Sequence, residues 1–326
     1  MKEQLLTKKI LNWYDLNKRS LPWRKNVSIQ KRQYYTLVSE FMLQQTQVAT
    51  VIPFFNRFIK NIPTLKLLAK VQNKKLLKLW EGLGYYSRAK NLKKTAQTVT
   101  KNFKGKIPNN YEDLLSLPGV GNYTASAILA IAFNKPYIPL DGNIERVLKR
   151  YLYLKKEKDI QKDNLIKKKS IFGTSSRSSD YAQALMELGA LICKPTNPLC
   201  NQCPISKNCK SLQKKDFNLT KNNKKNIDKY FLLKVYKKDQ SYLLIKNTKF
   251  NFLKNLTIFP MEELSKPKNF NKNLNFKMSN MNMNIEIKYL KNSRKFQSPY
   301  WIDEKKLHSY MLPSFTKKIV KYLEKN

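Results

Sequence analysis

Apolar residues recur at helical spacing through the first part of the chain, from Thr7 to about Leu212. The segments 10–14, 37–42 and 76–80 show this spacing clearly, and no strand-like alternation occurs between them. The pattern therefore predicts an all-α domain over residues 1–212.

The pattern changes at residues 213–228, which are polar, rich in Lys and Asn and poor in apolar anchors. Such a stretch is typical of a linker between domains. Beyond it, residues 230–236 and 241–245 flank a short polar segment and predict a β-hairpin. The remainder, residues 229–326, is expected to form a smaller α+β domain.

A final helix is expected after Pro313, because Phe315, Ile319 and Leu323 then fall on one face. With 326 residues and 41% hydrophobic composition, the chain is long enough for two domains with buried cores. No internal repeat is found.

The chain carries 64 Lys and Arg against 22 Asp and Glu, a formal charge of +42. Such an excess favours a polyanionic partner, with nucleic acid as the first candidate. General enrichment in Lys and Asn, as a biased genome would produce, is the alternative. No apolar run is long enough for a membrane helix and the first residues lack an export signal, so we expect a cytoplasmic protein without a membrane partner. A monomer is also expected.

The four cysteines, Cys193, Cys200, Cys203 and Cys209, are the only ones in the chain. Their C-x6-C-x2-C-x5-C spacing predicts a metal cage, because two local disulfides would require an exported protein. The thiols alone do not decide between zinc and an iron–sulfur cluster.

A tight turn, Leu117-Pro118-Gly119-Val120-Gly121, separates two predicted helices and suggests a helix-hairpin-helix over residues 113–133. Gly119 and Gly121 are expected to permit positive φ and close backbone approach, so that N–H groups of the second helix bind a DNA phosphate. An ordinary turn between two helices is the alternative.

Two carboxylates stand out near these elements. Asp141 opens a predicted helix, where an N-cap role and a catalytic role are about equally supported. Glu40 lies in an apolar context that could bury it and raise its pKa. A lone glutamate on a helix is otherwise expected to be solvated.

In this order, the hairpin, the aspartate and the four cysteines resemble the helix-hairpin-helix DNA glycosylases that carry a four-iron, four-sulfur (4Fe–4S) cluster. The closest resemblance is to the MutY-type adenine DNA glycosylases, through residues 21–24 (LPWR), 39–48 (SEFMLQQTQV), 82–89 (GLGYYSRA) and 140–148 (LDGNIERVL). It covers nearly all of residues 5–212. It implies one 4Fe–4S cluster and removal, in base excision repair, of adenine mispaired with 8-oxoguanine or guanine in double-stranded DNA.

The resemblance also implies roles for individual residues. Glu40 becomes the acid that protonates adenine, and Asp141 stabilises the sugar cation or attacks it transiently. Tyr123 occupies the position where strand-cleaving relatives carry a Schiff-base lysine, so base removal without strand cleavage is expected. Asn143 would orient the carboxylates. Arg24 would assist Glu40, although a structural salt bridge accounts for it equally well.

Flipping adenine out of the duplex leaves a gap, which the resemblance assigns to Gln44 and Tyr85. Tyr85 and Tyr86 could instead be core aromatics. The C-terminal domain is expected to be a divergent Nudix-like domain for mispair recognition, in which Met278, Ser279 and Asn280 replace a Phe-Ser-His motif. The alternatives are an endonuclease III-like pyrimidine glycosylase and lyase, and a non-catalytic basic DNA-binding protein.

Overall fold

A computed structural model describes residues 2–218, 226–265, 270–278, 280–291, 300–310 and 312–325. The chain divides into two compact units. Unit 1 comprises Met1–Val71 and Ser87–Lys221, and unit 2 comprises Gln72–Tyr86 and Asn222–Asn326. Unit 2 thus includes a short segment from within the predicted helical domain.

Helices make up the ordered secondary structure of unit 1, as the apolar spacing predicts. With α5, which belongs to unit 2, they are α1 (Lys2–Asn17), α2 (Ile29–Leu43), α3 (Val48–Asn61), α4 (Leu65–Lys70), α5 (Asn73–Leu79), α6 (Ser87–Asn102), α7 (Tyr111–Leu115), α8 (Asn122–Phe133), α9 (Gly142–Leu152), α10 (Glu157–Ile160), α11 (Lys162–Lys168), α12 (Ser178–Glu187) and α13 (Lys210–Gln213). A π-helical turn, Leu188–Ile192, continues α12.

Polar side chains fix where several of these helices begin. Ser28, Thr64, Asn110 and Asp141 each accept a hydrogen bond from a backbone N–H in the first turn of the helix that follows. These bonds satisfy donors that have no partner inside the helix. The four caps therefore set the start of α2, α4, α7 and α9.

Helix α8 lies at the centre of unit 1, because it is apolar on nearly every side and its residues 124–130 are all buried. Helices α2, α7 and α12 pack against it. A second group of buried side chains joins α1, α9 and α12 to the cysteine loop. The site-bearing helices α2, α8 and α9 are thereby anchored in continuous apolar packing.

The predicted helix-hairpin-helix is present, with α7 ending at Leu115 and α8 beginning at Asn122. Gly119 has a φ of +80°, and a Cβ there would lie 2.8 Å from Asn91 Cβ and 3.0 Å from Phe41 Cε1. The expectation for Gly121 is wrong. Its φ is −105° in extended backbone, because it serves as the N-cap of α8.

Unit 2 contains two small sheets. Their strands are β1 (Ile227–Val235), β2 (Lys237–Lys238), β3 (Ser241–Lys246), β4 (Thr257–Ile258), β5 (Met261–Leu264), β6 (Leu274–Met278), β7 (Met281–Tyr289) and β8 (Tyr300–Asp303). One sheet has the order β5-β1-β7-β6, with β1 and β7 parallel, and the other joins β2, β3 and β4, with β8 also paired to β3. The predicted α+β character is confirmed.

The predicted hairpin between residues 230–236 and 241–245 is wrong in its first strand. Both edges of β1 are occupied by β5 and β7, so β3 pairs instead with the two-residue strand β2. A turn at Asp239, with φ of +52°, closes this shorter hairpin. The sequence pattern locates the strands but not their partners.

The final helix is confirmed as α14 (Ser314–Leu323). Phe315, Ile319 and Leu323 are buried in the core that both sheets share. Thr316 fixes the helix further, because its hydroxyl donates to the Thr257 carbonyl at 3.0 Å.

The expected linker, residues 213–228, lies partly outside the described residues, and β1 already begins at Ile227. Within the described ranges, every helix is too short or too polar to cross a bilayer.

Gly119→Ala should destabilise the protein, since the new Cβ would meet Asn91 and Phe41 in left-handed backbone. We expect a loss of about 2–4 kcal/mol in the free energy of unfolding, measured by chemical denaturation. Gly121→Ala is the matched control, because no atom lies within 4 Å of its Cβ position. Equal losses in the two variants would contradict this account of the turn.

Candidate active site

An open cavity of about 920 Å³ lies in unit 1 between the ends of α2, α8 and α9. It brings together six of the residues that the sequence singled out. They are Arg24, Glu40, Gln44, Tyr123, Asp141 and Asn143.

Glu40 lies in the last turn of α2 and only 4% of it is exposed, so the solvated alternative is wrong. Burial raises its pKa to about 7, the charge of Asp141 adds to the shift, and a hydrogen bond with Tyr123 opposes it. Its Oε2 is buried and has no hydrogen-bond partner among the described residues. Glu40 therefore exchanges its proton near neutral pH, and one of its carboxyl oxygens is available to a ligand.

Tyr123 lies in the first turn of α8, where its phenol bonds to Glu40 and is close enough to Asp141 to be affected by its charge. Burial raises the pKa of its phenol well above the usual value, and the nearby charges of Glu40 and Asp141 add to the effect. The phenol therefore stays protonated and acts as a hydrogen-bond donor toward Glu40.

Asp141 is the N-cap of α9, and both of its oxygens are held. The Ile144 N–H donates to Oδ1 at 2.7 Å, and the Asn143 amide donates to Oδ2 at 2.9 Å. Burial raises the pKa of Asp141, while these hydrogen bonds oppose the shift. The capping role is therefore real, and it leaves the carboxylate fixed on the wall of the cavity.

Arg146, one turn further along α9, links this carboxylate network to the cysteine loop. Its Nη2 donates to Asn143 Oδ1 at 2.8 Å and to the Gly189 carbonyl at 2.6 Å, and its Nε donates to the Cys193 carbonyl at 2.7 Å. A Cβ added at Gly189 would lie 2.6 Å from Asn143 Cβ. Asn143 is thus held by one hydrogen bond from Arg146 and by direct backbone packing.

A second charged group borders the cavity. Glu187 is fully buried, and its carboxylate pairs with Arg19 at 2.7 Å and with Arg24 at 2.6 Å. Arg24 therefore makes the structural salt bridge that the sequence left open. It also lines the cavity and lowers the pKa of Glu40 slightly through its charge.

Arg88, at the start of α6, caps the end of helix α2. It is 6% exposed, and its Nη1 donates to the carbonyls of Phe41 at 3.3 Å, Met42 at 2.7 Å and Gln44. These carbonyls have no partner inside α2 itself. The bonds fix the helix end that carries Glu40 and the adjacent Gln44.

The four cysteines line one small cavity, and all are free of disulfides. Buried Arg150 lies beside them, with Nη1 3.5 Å from Cys193 Sγ and bonded to the Lys194 carbonyl at 2.6 Å. Burial raises the pKa of Cys203 to about 12, and a metal bound among the sulfurs would reverse this effect. Among the described residues, no group of three or more His, Cys, Asp or Glu side chains is arranged to hold a metal ion.

Among the predicted DNA-contact residues, Gln44 lines the cavity, and its side-chain amide donates to the Gly119 carbonyl at 3.3 Å. In unit 2, Tyr85 is 49% exposed whereas Tyr86 is 7% exposed, so only Tyr86 is a core aromatic. Met278 ends β6 and packs partly against the core, and Asn280 lies in the turn to β7. Ser279 lies outside the described residues.

Sequence reasoning missed Arg19, Arg88, Arg146, Gly189 and Glu187. Arg146 had a usable signal, since its position three residues after Asn143 places both on one helix face. The partners of the other four lie far away in sequence, so no local pattern indicates them.

Comparison with known proteins agrees with this fold. A family model described as "HhH-GPD superfamily base excision DNA repair protein" matches residues 38–169. A solved structure of a thermostable thymine-DNA glycosylase matches 65% of this chain and 97% of its own, with a TM-score of 0.57 and 26% identity. Fold and site thus define a helix-hairpin-helix base excision repair protein.

Two relatives named adenine DNA glycosylase narrow this class. One, from Buchnera aphidicola subsp. Baizongia pistaciae (strain Bp), is 42% identical, and the match covers 77% of this chain and 72% of the relative's length. The other, from Rattus norvegicus, is 42% identical, and the match covers 63% of this chain and 41% of the relative's length. The chain belongs to the adenine DNA glycosylase family.

Glu40→Gln should change how stability depends on pH. In the unfolded chain Glu40 loses its proton near the usual pKa of 4.5, whereas in the folded protein it does so at about 7. The wild type should therefore lose stability as pH rises from about 4.5 to about 7, and the variant should lose on the order of 2 kcal/mol less.

Urea denaturation at a series of pH values measures this difference. Glu112→Gln, at an exposed position of α7, is the control. Parallel pH profiles for the wild type and Glu40→Gln would refute the assignment of a buried, protonated Glu40.

Proposed function

We propose that the chain is a monofunctional adenine DNA glycosylase that removes adenine opposite 8-oxoguanine and, with less discrimination, opposite guanine in double-stranded DNA. The observation that carries this proposal is the buried Glu40 acid, with its unpartnered Oε2, in one cavity with Asp141. Membership in the adenine DNA glycosylase family supplies the substrate class. We also propose that it works as a monomer in the cytoplasm.

Glu40 supplies the proton that adenine needs in order to leave. Adenine is a poor leaving group as an anion, so protonation of the purine ring at N7 must accompany cleavage of the C1′–N9 bond. The electrons of that bond pass to the protonated base. Burial of Glu40 supports this role, because a carboxyl with a pKa of about 7 is still about half protonated at neutral pH, whereas one with the usual pKa is almost fully ionised there.

Asp141 stabilises the sugar. Loss of the base leaves positive charge on C1′ and the ring oxygen, and a fixed carboxylate nearby lowers the energy of that cation. The bonds from Ile144 and Asn143 hold Asp141 in place. Water then adds to C1′ and gives its proton to Glu40, so the products are free adenine and an abasic site.

Tyr123 limits the reaction to base removal. A phenol forms no imine with C1′, so the step that leads to strand cleavage in lyases has no nucleophile at this position. Its donor contact with Glu40 supports a positioning role instead. This favours the adenine glycosylase over the endonuclease III-like alternative.

DNA would be held by the hairpin and by the predicted contact residues. The N–H groups at the start of α8, after Gly119 and Gly121, would bind a phosphate without reading sequence. Gln44 and Tyr85 would fill the gap left by the flipped base, and Arg24 would border the extruded adenine. Met278, Ser279 and Asn280 would contact the base opposite.

Cys193, Cys200, Cys203 and Cys209 would hold one 4Fe–4S cluster. Their common cavity supports this assignment. The cluster would cross-link the loop after α12 through four metal–thiolate bonds. The loop's link to Asn143 through Arg146 would transmit that rigidity to the carboxylates.

Glu40→Gln should abolish excision of adenine while mispair affinity changes little, because the amide keeps the shape but carries no transferable proton. In the wild type, the single-turnover rate constant should fall as pH rises through about 7. Quenched assays on an adenine–8-oxoguanine duplex measure both. Retained turnover in the variant would overturn the acid assignment, and prompt strand cleavage by the wild type would overturn monofunctional chemistry.

Cys200→Ser should lose the cluster and DNA affinity together, because the basic loop depends on its metal for shape. Iron and sulfide content, visible absorption and fluorescence anisotropy with duplex DNA report the two effects. Asn201→Ala, at an exposed position in the same loop, is the control. One zinc per chain without visible absorption would show that the cage holds a different metal.

A further inference from the structure

The loop that carries Tyr85 has an unusual backbone. Gly82, Gly84 and Tyr85 all have positive φ, at +100°, +75° and +46°. A tyrosine in this region is uncommon and persists only when its surroundings hold it there. Specific contacts must therefore stabilise this loop in the conformation that exposes Tyr85.

Part of that support comes from within the loop. The Trp80 indole donates to the Gly84 carbonyl at 3.1 Å, and the Leu83 N–H donates to the Trp80 carbonyl at 3.0 Å. Both contacts join the loop to Trp80, which directly follows α5.

The other support comes from the end of the chain. Glu81 is held by two ammonium groups, with Lys78 Nζ 2.7 Å from Oε2 and Lys317 Nζ 2.7 Å from Oε1. Its side chain is 12% exposed, against 49% for Lys78 and 42% for Lys317. A carboxylate buried to this extent is far more sensitive to loss of a partner than one in an exposed surface pair.

Lys317 is a rigid anchor because of the helix that carries it. It lies on α14, between Phe315 and Ile319 of the buried face, and directly follows Thr316, whose hydroxyl bonds to β4. The loop of Tyr85 belongs to the same compact unit as the turn of Met278 and Asn280.

We infer that Lys317 and Glu81 form a positioning pair that fixes the Tyr85 loop to the C-terminal module, and that discrimination between adenine opposite 8-oxoguanine and adenine opposite guanine depends on it. This inference rests on the proposed function. A wedge beside the partner base and a turn that contacts that base must hold one geometry to distinguish two similar purines. The ion pair ties the Tyr85 loop to α14, whose Phe315 ring packs against Phe276 of β6, two residues before Met278.

Four variants of the full chain test the pair: Lys317→Met, Glu81→Gln, their double variant, and Lys317→Arg. We expect each single neutral variant to lower the ratio of single-turnover rate constants, 8-oxoguanine mispair over guanine mispair, by about threefold to tenfold. The double variant should be no worse than either single one, and Lys317→Arg should keep the wild-type ratio. Lys318→Met, at an exposed position of α14 outside this ion pair, is the control.

A Tyr85→Ala background tests the route of the effect. If the pair acts through Tyr85, Lys317→Met should lower the ratio no further in that background. Thermal melting distinguishes a purely structural pair, for which the melting temperature falls while the ratio stays unchanged. That outcome, or effects that multiply in the double variant, would overturn the inference.

A separate measurement, adenine release by the wild type, tests the proposed function itself. A wild type that releases no adenine from either duplex would refute the glycosylase assignment itself. The pair is then tested by binding alone, with duplexes that carry 2′-fluoro-deoxyadenosine, whose sugar resists cation formation. Equal affinity ratios in the wild type and Lys317→Met would overturn the pair, and a lower ratio in the variant would support it.

Discussion

Burial of one carboxyl group organises the site. Glu40 would be a poor acid in water at neutral pH, since it would already have lost its proton. The last turn of α2 removes it from solvent, and the carbonyls there are held by buried Arg88 rather than by water. Because burial disfavours the charged carboxylate, Glu40 gives up its proton near pH 7 instead of near its usual pKa.

The second carboxylate combines an observed structural role with the chemical role that we propose for it. Asp141 starts α9 as an ordinary cap, and the same bonds restrict both of its oxygens. The sequence indicated that Asp141 could cap α9, but it did not indicate which residues hold Asn143 against it. Asn143 is fixed by Arg146 and by the backbone at Gly189, which itself precedes the first cysteine. The four-cysteine loop and the Asp141 carboxylate are therefore parts of one hydrogen-bonded structure.

Much of the fold was predictable because it depends on local periodicity. The helices of unit 1, the final helix and the start of α9 follow from apolar spacing and a capping residue, and the order of the motifs indicated which side chains would meet. Features set by distant segments were not predictable. Strand β1 takes its partners from β5 and β7, Gly121 adopts extended backbone because it caps α8, and Glu187 meets Arg19 and Arg24 only in three dimensions.

The parallel pairing of β1 with β7, together with the contact between Glu81 and Lys317, has a consequence for biosynthesis. Residue 81 leaves the ribosome long before residue 317. The Glu81 carboxylate therefore lacks its contact with Lys317 until α14 has been synthesised. Local contacts allow the early helices to form during translation, whereas non-local strand pairing is slow. The loop of Tyr85 should therefore be among the last parts of the nascent chain to reach its finished conformation.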